Sequence, residues 1–337
     1  MRKIALYVSI IFGLVSYATL GNAEDLAGRV KKAVAKSTLD QPGTKPFHLK
    51  AELAPSRERD NGSGRTGTIE IWWKSPTEWR REVSCPMFHQ VQVVNAGKTW
   101  QKNEGDYFPE WLQQTAVELI DPLPKLDDAL SQIDGADIKH MFGFTYIQWM
   151  TPSTNGQVQS WIGATVALTD STGLLFYDGA FGWGGLFDDY KNFHGRMVPY
   201  KVSVGSPEVT AKVMVLEDLK DTAGLFDASA SGGDPQLLQT VLKSEMDARQ
   251  HLDPTGPIAW PAVKSGPLEG VATAEIVLDR EGKVRQVGPV VSANNDLNDF
   301  TRQQIEAMRF KPFIQDGVPV QVLTRITLSF KTSRANQ

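Results

Sequence analysis

The sequence has a single cysteine, Cys85, among its 337 residues. One cysteine cannot form an intramolecular disulfide, which excludes a small secreted domain held together by disulfide bridges. Cys85 also lies outside the N-terminal signal region, where a lipid-anchor cysteine would stand. It precedes Pro86, and we interpret it as a small, half-buried structural residue.

Basic charge and long apolar runs are also scarce. The chain has 35 lysines and arginines against 39 aspartates and glutamates, for a formal net charge of -4 and a pI near 5.8. No basic stripe is available to displace counterions from a phosphate backbone, which argues against nucleic acid as a partner. Beyond the N-terminal segment no run is apolar for long enough to span a membrane, so the mature protein is expected to be soluble.

Sequence motifs of common enzymes are missing as well. The histidines form no two-histidine helix motif, there is no Gly-x-Ser-x-Gly elbow, and the glycines of residues 179–185 do not match phosphate-binding spacings. The adjacent pairs Asp127-Asp128 and Asp188-Asp189 point to different sides of a helix or strand, which does not suit an acid/base couple. We therefore predict no enzyme activity, no cofactor and no metal site. The scattered histidines are His48, His89, His140, His194 and His251.

The N-terminus has the features of an export signal. Arg2 and Lys3 precede an apolar run over residues 4–20, and Gly21-Asn22-Ala23 places small residues where a signal peptidase reads them. We predict a signal peptide over residues 1–23 and a periplasmic protein. The run is marginal for a spanning helix, which needs ~20 predominantly apolar residues, so an uncleaved inner-membrane anchor is the alternative.

The last quarter of the chain has the clearest order of elements. From residue 270 apolar residues alternate along a first strand, a turn follows at residues 279–282, and a second strand lies around residues 283–291. Asn294-Asn295-Asp296 offers side-chain oxygens to the start of a helix, which Pro312 ends. After Asp316-Gly317, alternate residues from 318 to 330 point one way, as in a long strand with one buried face.

The segments AEIVLDREGKVRQV, LNDFTRQQIEAMRFKPF, DGVPV and ITLSF together resemble the C-terminal domain of TonB-type energy transducers. The resemblance covers residues 253–333 and implies a small β-β-α-β domain that docks on envelope proteins such as outer-membrane receptors, often by adding a strand. Full transducers resemble an anchored helix followed by a long proline-rich spacer. Here the N-terminal apolar segment has no histidine and the linker is short, so docking without force transmission is expected. The predicted partner-binding residues, on an exposed edge of the closing strand, are Gln321, Leu323, Arg325 and Thr327.

The first part of the chain reads as an antiparallel meander rich in aromatic residues. Short alternating strands are divided by Ser75-Pro76, Cys85-Pro86 and Asn95-Ala96-Gly97 at roughly ten-residue spacing. Eight of the nine tryptophans precede residue 184, so most of the aromatic surface belongs to this part. Helical periodicity over residues 111–141 interrupts the strands, which then resume.

IEIWWKSPTEWRRE, the NAGKTW hairpin and DDYKNFHGRMVPYKVSV with VTAKVMVLEDL resemble the outer-membrane lipoprotein carriers of the LolA and LolB type. The resemblance covers residues 45–220 and implies an open half-barrel whose concave apolar face holds acyl chains under a helical lid. The aromatic band is then either a plain core between sheet and helices or an acyl groove. The groove residues predicted are Trp72, Trp79, Phe88, Trp100 and Trp161.

We thus predict an α+β protein with two domains. Residues 24–220 form the LolA-like half-barrel, residues 221–252 a linker with a helix from Pro235 to Arg249, and residues 253–333 the TonB-like domain. The predicted function is non-catalytic docking on envelope proteins, with a role in transport across the outer membrane. The alternative is a lipid or lipoprotein carrier that binds acyl chains in the first domain.

Overall fold

The computed structural model describes residues 25–335 apart from 58–63, 125, 156–157, 181–182, 206–207, 221, 228–232, 235–236, 239 and 255. For residues 151–155, 158–162, 180 and 183 it describes the backbone alone. The predicted signal peptide, residues 1–23, lies outside the described residues. Within the described parts of the chain, no helix has both the length and the apolar character needed to cross a membrane.

The first and larger sheet has twelve strands, all paired antiparallel, in the order β5-β4-β3-β2-β1-β12-β11-β10-β9-β8-β7-β6. Its strands are β1 (Phe47–Pro55), β2 (Gly67–Ser75), β3 (Glu78–Cys85), β4 (Phe88–Asn95), β5 (Lys98–Glu104), β6 (Asp137–Met141), β7 (Phe144–Asn155), β8 (Val158–Thr169), β9 (Leu175–Ala180), β10 (Trp183–Phe193), β11 (Arg196–Val204) and β12 (Val209–Asp218). In the described structure β5 and β6 end the sheet without pairing to each other, so the sheet does not close into a barrel.

Three helices fill the inner side of this sheet: α1 (Leu26–Ser37), α2 (Glu110–Glu118) and α3 (Leu126–Leu130). Helix α2 lies against both β3 and β11, which are four strand positions apart in the sheet. A flat sheet would separate those strands by about 19 Å, more than the ~10–12 Å diameter of a helix. The sheet therefore curves around the helices, and we call this unit the half-barrel. An open, mostly antiparallel α+β fold is confirmed.

Side-chain alternation explains which face of the half-barrel is apolar. Along β2, Ile69, Ile71 and Trp73 are buried while the residues between them are not. Helix α1 turns an apolar stripe, including Val30 and Val34, toward the same core. Period-two strands and a helix of period 3.6 thus meet at one inner apolar face.

The second sheet belongs to the C-terminal part of the chain. Its main order is β13-β18-β14-β15, with two short strands attached. The strands are β13 (Thr240–Leu242), β14 (Glu269–Leu278), β15 (Val284–Val287), β16 (Val291–Ser292), β17 (Phe313–Gln315) and β18 (Val318–Lys331). The helices are α4 (Glu245–His251) and α5 (Asn298–Ala307). Asn294 accepts a hydrogen bond from the Asp296 amide before α5, as the sequence predicts. Ile276, Ile305 and Val322 lie in the core between this sheet and α5.

The predicted helix from Pro235 to Arg249 is wrong at residues 240–244. Residues Thr240–Leu242 form strand β13, and the helix begins only at Glu245. The reason is local: the Ser244 hydroxyl accepts from the Asp247 amide, and Asp247 accepts from Ser244 in return. This reciprocal capping box sets the helix start more firmly than the apolar periodicity upstream does.

The two ends of the half-barrel are different. The last residues of β5, β9 and β11 lie at one end, where the second domain contacts the first, and we call it the capped end. The turns that join β6 to β7, β8 to β9 and β10 to β11 lie at the other end, which we call the open end. Antiparallel pairing fixes this arrangement because successive turns alternate between the two ends.

Candidate functional site

The inner face of the half-barrel is the first of two candidate sites. Phe47 stacks on Trp73 with ring centroids 5.3 Å apart, and Phe88 stacks on Phe108 at 4.6 Å. Side chains of α1, α2 and α3 share the same core. The Trp73 indole nitrogen donates to Asp40 at 2.9 Å, so its one polar atom is satisfied at the edge of this surface.

The structure divides the predicted acyl-groove residues between two faces. Phe88 is buried on the inner face, and Trp79 is paired with Trp73 and packs half-buried on the same side. Trp72 and Trp100 belong instead to a cross-strand row on the opposite face. For these two residues the groove prediction is wrong. The side chain of Trp161 lies outside the part of the chain that the structure describes.

The outward tryptophans have their own neighbours. Trp72 stacks on His48 at 5.3 Å, and the Arg80 guanidinium lies over its ring at 5.8 Å. Trp100 packs close to the backbone of Gly233, in the linker between the two domains. These residues are outward because side chains in a strand alternate, so that Trp72 and its neighbour Trp73 must face opposite ways.

The inner face is occupied by the protein's own helices. Val30 and Val34 of α1, and Leu112 and Ala116 of α2, are fully or almost fully buried against it. The two helices have 12 and 9 residues. An acyl chain can reach the inner face only if one of them moves, so the apolar surface is present and covered at the same time.

Two of the predicted docking residues of the closing strand β18, Gln321 and Leu323, contact the first domain of the same chain. The buried Gln321 side chain accepts from the Phe108 amide at 2.7 Å and donates to the Phe108 carbonyl at 3.0 Å. Leu323 is buried in a small cluster with Tyr107 and Val277. These contacts join the sheet of the second domain to the segment between β5 and α2.

The exposed edge predicted for this strand is not found. Strand β13 pairs in parallel with residues 321–323 of β18. Farther along, Thr327 donates its amide to Glu245 of α4 at 2.8 Å. Only Arg325 is exposed, with 58% of its side chain accessible, beside Glu275 at 3.7 Å. Local pairing within the chain has taken the hydrogen-bonding groups that a partner strand would need.

The second candidate site is a cleft of about 620 Å³ between the two domains at the capped end. Glu110 of α2 is 5% exposed there and is hydrogen-bonded to Gln286 of the second domain. Burial, reinforced by the charge of Glu275, raises the pKa of Glu110 to about 7. The cleft is lined by Glu110, Gln114, Tyr177, Ser203, Glu275, Gln286 and Arg325, among others.

A second buried acid lies behind the cleft. Gln114 donates to Glu118 at 2.7 Å and to the Gly184 carbonyl at 2.8 Å. Burial, and then the nearby Asp178, raise the pKa of Glu118 well above its usual range. Gly185 lies directly over this carboxyl, since a Cβ added there would meet Glu118 at 2.0 Å. The Glu118 carboxyl thus accepts from Gln114 in a place where burial disfavours its charged form.

Sequence reasoning missed these acids. Glu110, Gln114 and Glu118 follow one another at four-residue spacing, which puts them on one polar stripe of α2. Such a stripe normally faces solvent. Here α2 is buried on nearly all sides, between the half-barrel and the second domain. The polar stripe is visible in the sequence and could have drawn attention to these acids, but only the tertiary structure shows what covers it.

The cysteine and the histidines of the chain are distributed over the two domains. Cys85 is half-buried, and burial raises the pKa of its thiol. His48 lies 2.8 Å from Glu70 on the outer face, while His251 stacks on Phe313 in the second domain. Among the residues that the structure describes, no three His, Cys, Asp or Glu side chains are grouped to hold a metal ion.

Comparison with known proteins finds distant structural similarity and no sequence match. No protein-family model matches the sequence, and no curated protein matches it. A LolA superfamily protein, NE2245 from Nitrosomonas europaea, is similar in structure with a TM-score of 0.36 and 8% identity, over 58% of this chain and 96% of that one. A DUF1329 family protein from Desulfovibrio piger has a TM-score of 0.38 and 10% identity, over 61% and 96%. At these scores the similarity supports no conclusion about function. The resemblance of residues 253–333 to TonB-type domains stays a prediction.

Proposed function

We propose that this chain is a non-catalytic periplasmic carrier that holds the acyl chain of a lipid or lipoprotein against the inner face of its half-barrel. The supporting observation is an apolar face covered by short helices instead of a second sheet. In an open half-barrel a helix can leave the face while the strands stay paired. The strand ladder then keeps the binding surface intact with the helix displaced.

The free energies of the covered and loaded states are of similar size. Helix α1 buries Leu26, Val30 and Val34 as its larger apolar side chains, and each contributes roughly 1.5–3 kcal/mol. An acyl chain contributes ~0.8 kcal/mol per buried methylene, so about six to eleven methylenes replace what these three side chains contribute. A near balance of this kind permits both loading and release, as a carrier requires.

Docking of outer-membrane receptors on the second domain is the competing hypothesis. Strand addition at Leu323 would have to displace β13, and the face that carries Gln321 would have to leave Phe108. We rank docking below the carrier function because it requires separating contacts that are already made within the chain. Pulldown of envelope proteins with wild type and a Leu323→Pro variant tests it directly.

The carrier function is tested by titrating the purified protein with a bromine-labelled fatty acid, whose bromine quenches tryptophan only at short range. We expect saturable quenching. The neighbours Trp72 and Trp73 give a matched pair of variants, since they lie on opposite faces of β2. The quenched component should shrink in Trp73→Phe and persist in Trp72→Phe. Absence of saturable quenching, or equal quenching losses in both variants, contradicts the proposal.

A further inference from the structure

The hairpin of β6 and β7 exposes two adjacent apolar side chains at the open end. Phe142 is 78% exposed and Met141 is 45% exposed. Ile138, which is 40% exposed, lies three residues earlier on β6 and therefore faces the other side of the sheet. Single exposed apolar residues are ordinary, but two large ones side by side at a turn mark a surface that contacts something else.

The backbone at this tip is unfavourable for the residue it carries. Phe142 has φ 56° and Gly143 has φ 83°, in a two-residue turn between the paired residues Met141 and Phe144. This left-handed geometry favours asparagine followed by glycine, and a bulky residue in the first position is strained. Neither burial nor turn preference therefore accounts for the phenylalanine. Strain at an exposed residue is a reason to look for a function.

The tip is placed beside the helix that covers the inner face. The Asp170 amide donates to the Gly143 carbonyl at 2.9 Å, which ties the tip to the turn between β8 and β9. In that same turn, the Thr172 carbonyl accepts from Lys36, in the last turn of α1, at 3.2 Å. The second domain occupies the opposite, capped end. The open end is thus where α1 and the exposed tip meet.

The charges around the tip favour a lipid surface over another strand. If β6 paired along its whole length with a second copy, Lys139 would face Lys139, which opposes the pairing. Lys139 is exposed on the strand, and Lys36 and Arg196, which donate to the backbone carbonyls of Thr172 and Ala35, lie at the same end of the half-barrel. Asp170 lies close to the tip, where its carboxylate accepts from Thr145 at 2.6 Å. An aromatic tip flanked by cationic side chains suits the interface of an anionic bilayer.

We propose that Met141 and Phe142 form a membrane-contact tip that enters the interfacial layer of an anionic bilayer and brings the open end to the lipid. The inference rests on the proposed carrier function, because a carrier must meet the membrane that donates or receives its acyl chain. The contact area is small, so we expect binding to the bilayer to be weak and short-lived.

The test is flotation of the full protein with vesicles of phosphatidylethanolamine and phosphatidylglycerol at 3:1, or of phosphatidylcholine alone. Phe142→Asn removes the ring and supplies a residue that suits the turn, so it should fold at least as well as wild type. We expect it to lower partition into the anionic vesicles on the order of tenfold. Met87→Asn is the matched control, since Met87 is 55% exposed in the turn between β3 and β4 at the capped end; it should bind as wild type does.

Three outcomes would overturn the contact: wild type that does not float, Phe142→Asn that floats equally well, or loss of self-association in that variant by sedimentation velocity, which assigns the tip to a second copy. Tryptophan quenching by the bromine-labelled fatty acid, measured without vesicles, separates the carrier proposal from the membrane-contact proposal. If Phe142→Asn is still quenched by the fatty acid but no longer floats with the vesicles, the result supports the membrane-contact tip. If the wild type floats, Phe142→Asn does not, and the fatty acid quenches neither protein, then the carrier function is contradicted while the membrane contact stands.

Discussion

The side chain of Gln321 pairs with the backbone of Phe108 as a strand neighbour would. Its amide oxygen accepts from the Phe108 nitrogen and its amide nitrogen donates to the Phe108 oxygen, although 213 residues separate the two. The amide nitrogen also donates to the Thr240 hydroxyl at 3.1 Å. One buried side chain therefore links the half-barrel, β13 and the closing strand, and it belongs to the set of residues predicted to bind an external partner.

Replacing Gln321 by leucine should weaken the joint between the domains. The variant leaves the buried amide and carbonyl of Phe108 without partners, which costs roughly 1–3 kcal/mol for each unsatisfied group. We expect calorimetry to show two unfolding transitions in place of one. Gln303→Ala, at an exposed position of α5, is the control and should keep the wild-type profile. A single unshifted transition in Gln321→Leu would show that the domains are joined by other contacts.

The buried Glu110 predicts a stability that falls as pH rises. Its pKa in the folded state is about 7, against 4.5 for an ordinary glutamate. Between these values the folded state keeps a proton that the unfolded state has lost, so the contribution is fully present below pH 4.5 and is lost as pH rises through 7. The change is about 3 kcal/mol by linkage.

Urea unfolding at pH 5 and pH 8 checks this dependence. Glu110→Gln keeps a neutral amide in the same place, and we expect it to stabilise the protein at pH 8 while changing little at pH 5. Glu306→Gln, on the exposed face of α5, should behave as wild type at both values. If Glu110→Gln is equally stable relative to wild type at pH 5 and pH 8, the carboxyl is not held neutral by its surroundings.

The adjacent residues Trp72 and Trp73 should differ sharply in their contribution to stability. Trp73 is 1% exposed and stacks on Phe47, so its change to alanine should cost ~3–5 kcal/mol. Trp72 is half-buried between His48 and Arg80, and its loss should cost on the order of 1 kcal/mol. Guanidinium denaturation of the two variants gives both values. Similar losses would mean that β2 does not present opposite faces to core and solvent.

This pair also shows how far the sequence determines the site. Alternation in GTIEIWWKS predicts a half-buried strand, and the structure confirms it. Two aromatic residues in a row, however, satisfy the apolar pattern in either register. Which tryptophan faces inward is decided by Phe47 and the other strands of the curved sheet, and those contacts are distant in sequence.

In the second domain, too, the sequence predicts the helices and strands but not what covers their surfaces. The turn, the helix start at Asn294 and the apolar face of the closing strand follow local patterns that the sequence displays. The opposite face, with Gln321 and Leu323, looks free in the sequence because β13 and the segment before α2 come from other parts of the chain. Local chemistry therefore predicts the elements, whereas the partner of each polar face depends on contacts that local patterns do not contain.

The turn at residues 279–282 offers a last prediction, in which two glycines with the same backbone conformation are compared. Gly282 and Gly317 both have φ +81°. A Cβ at Gly317 would meet nothing within 4 Å, but a Cβ at Gly282 would lie 1.9 Å from the Phe310 carbonyl oxygen. Gly317→Ala should therefore cost only the left-handed strain, roughly 1–2 kcal/mol. Gly282→Ala should cost more, because the Phe310 amide also donates to the Gly282 carbonyl at 3.0 Å and this contact must shift. Thermal unfolding of both variants measures the difference, and equal losses would show that the segment around Phe310, which follows α5, can move away from the turn without cost.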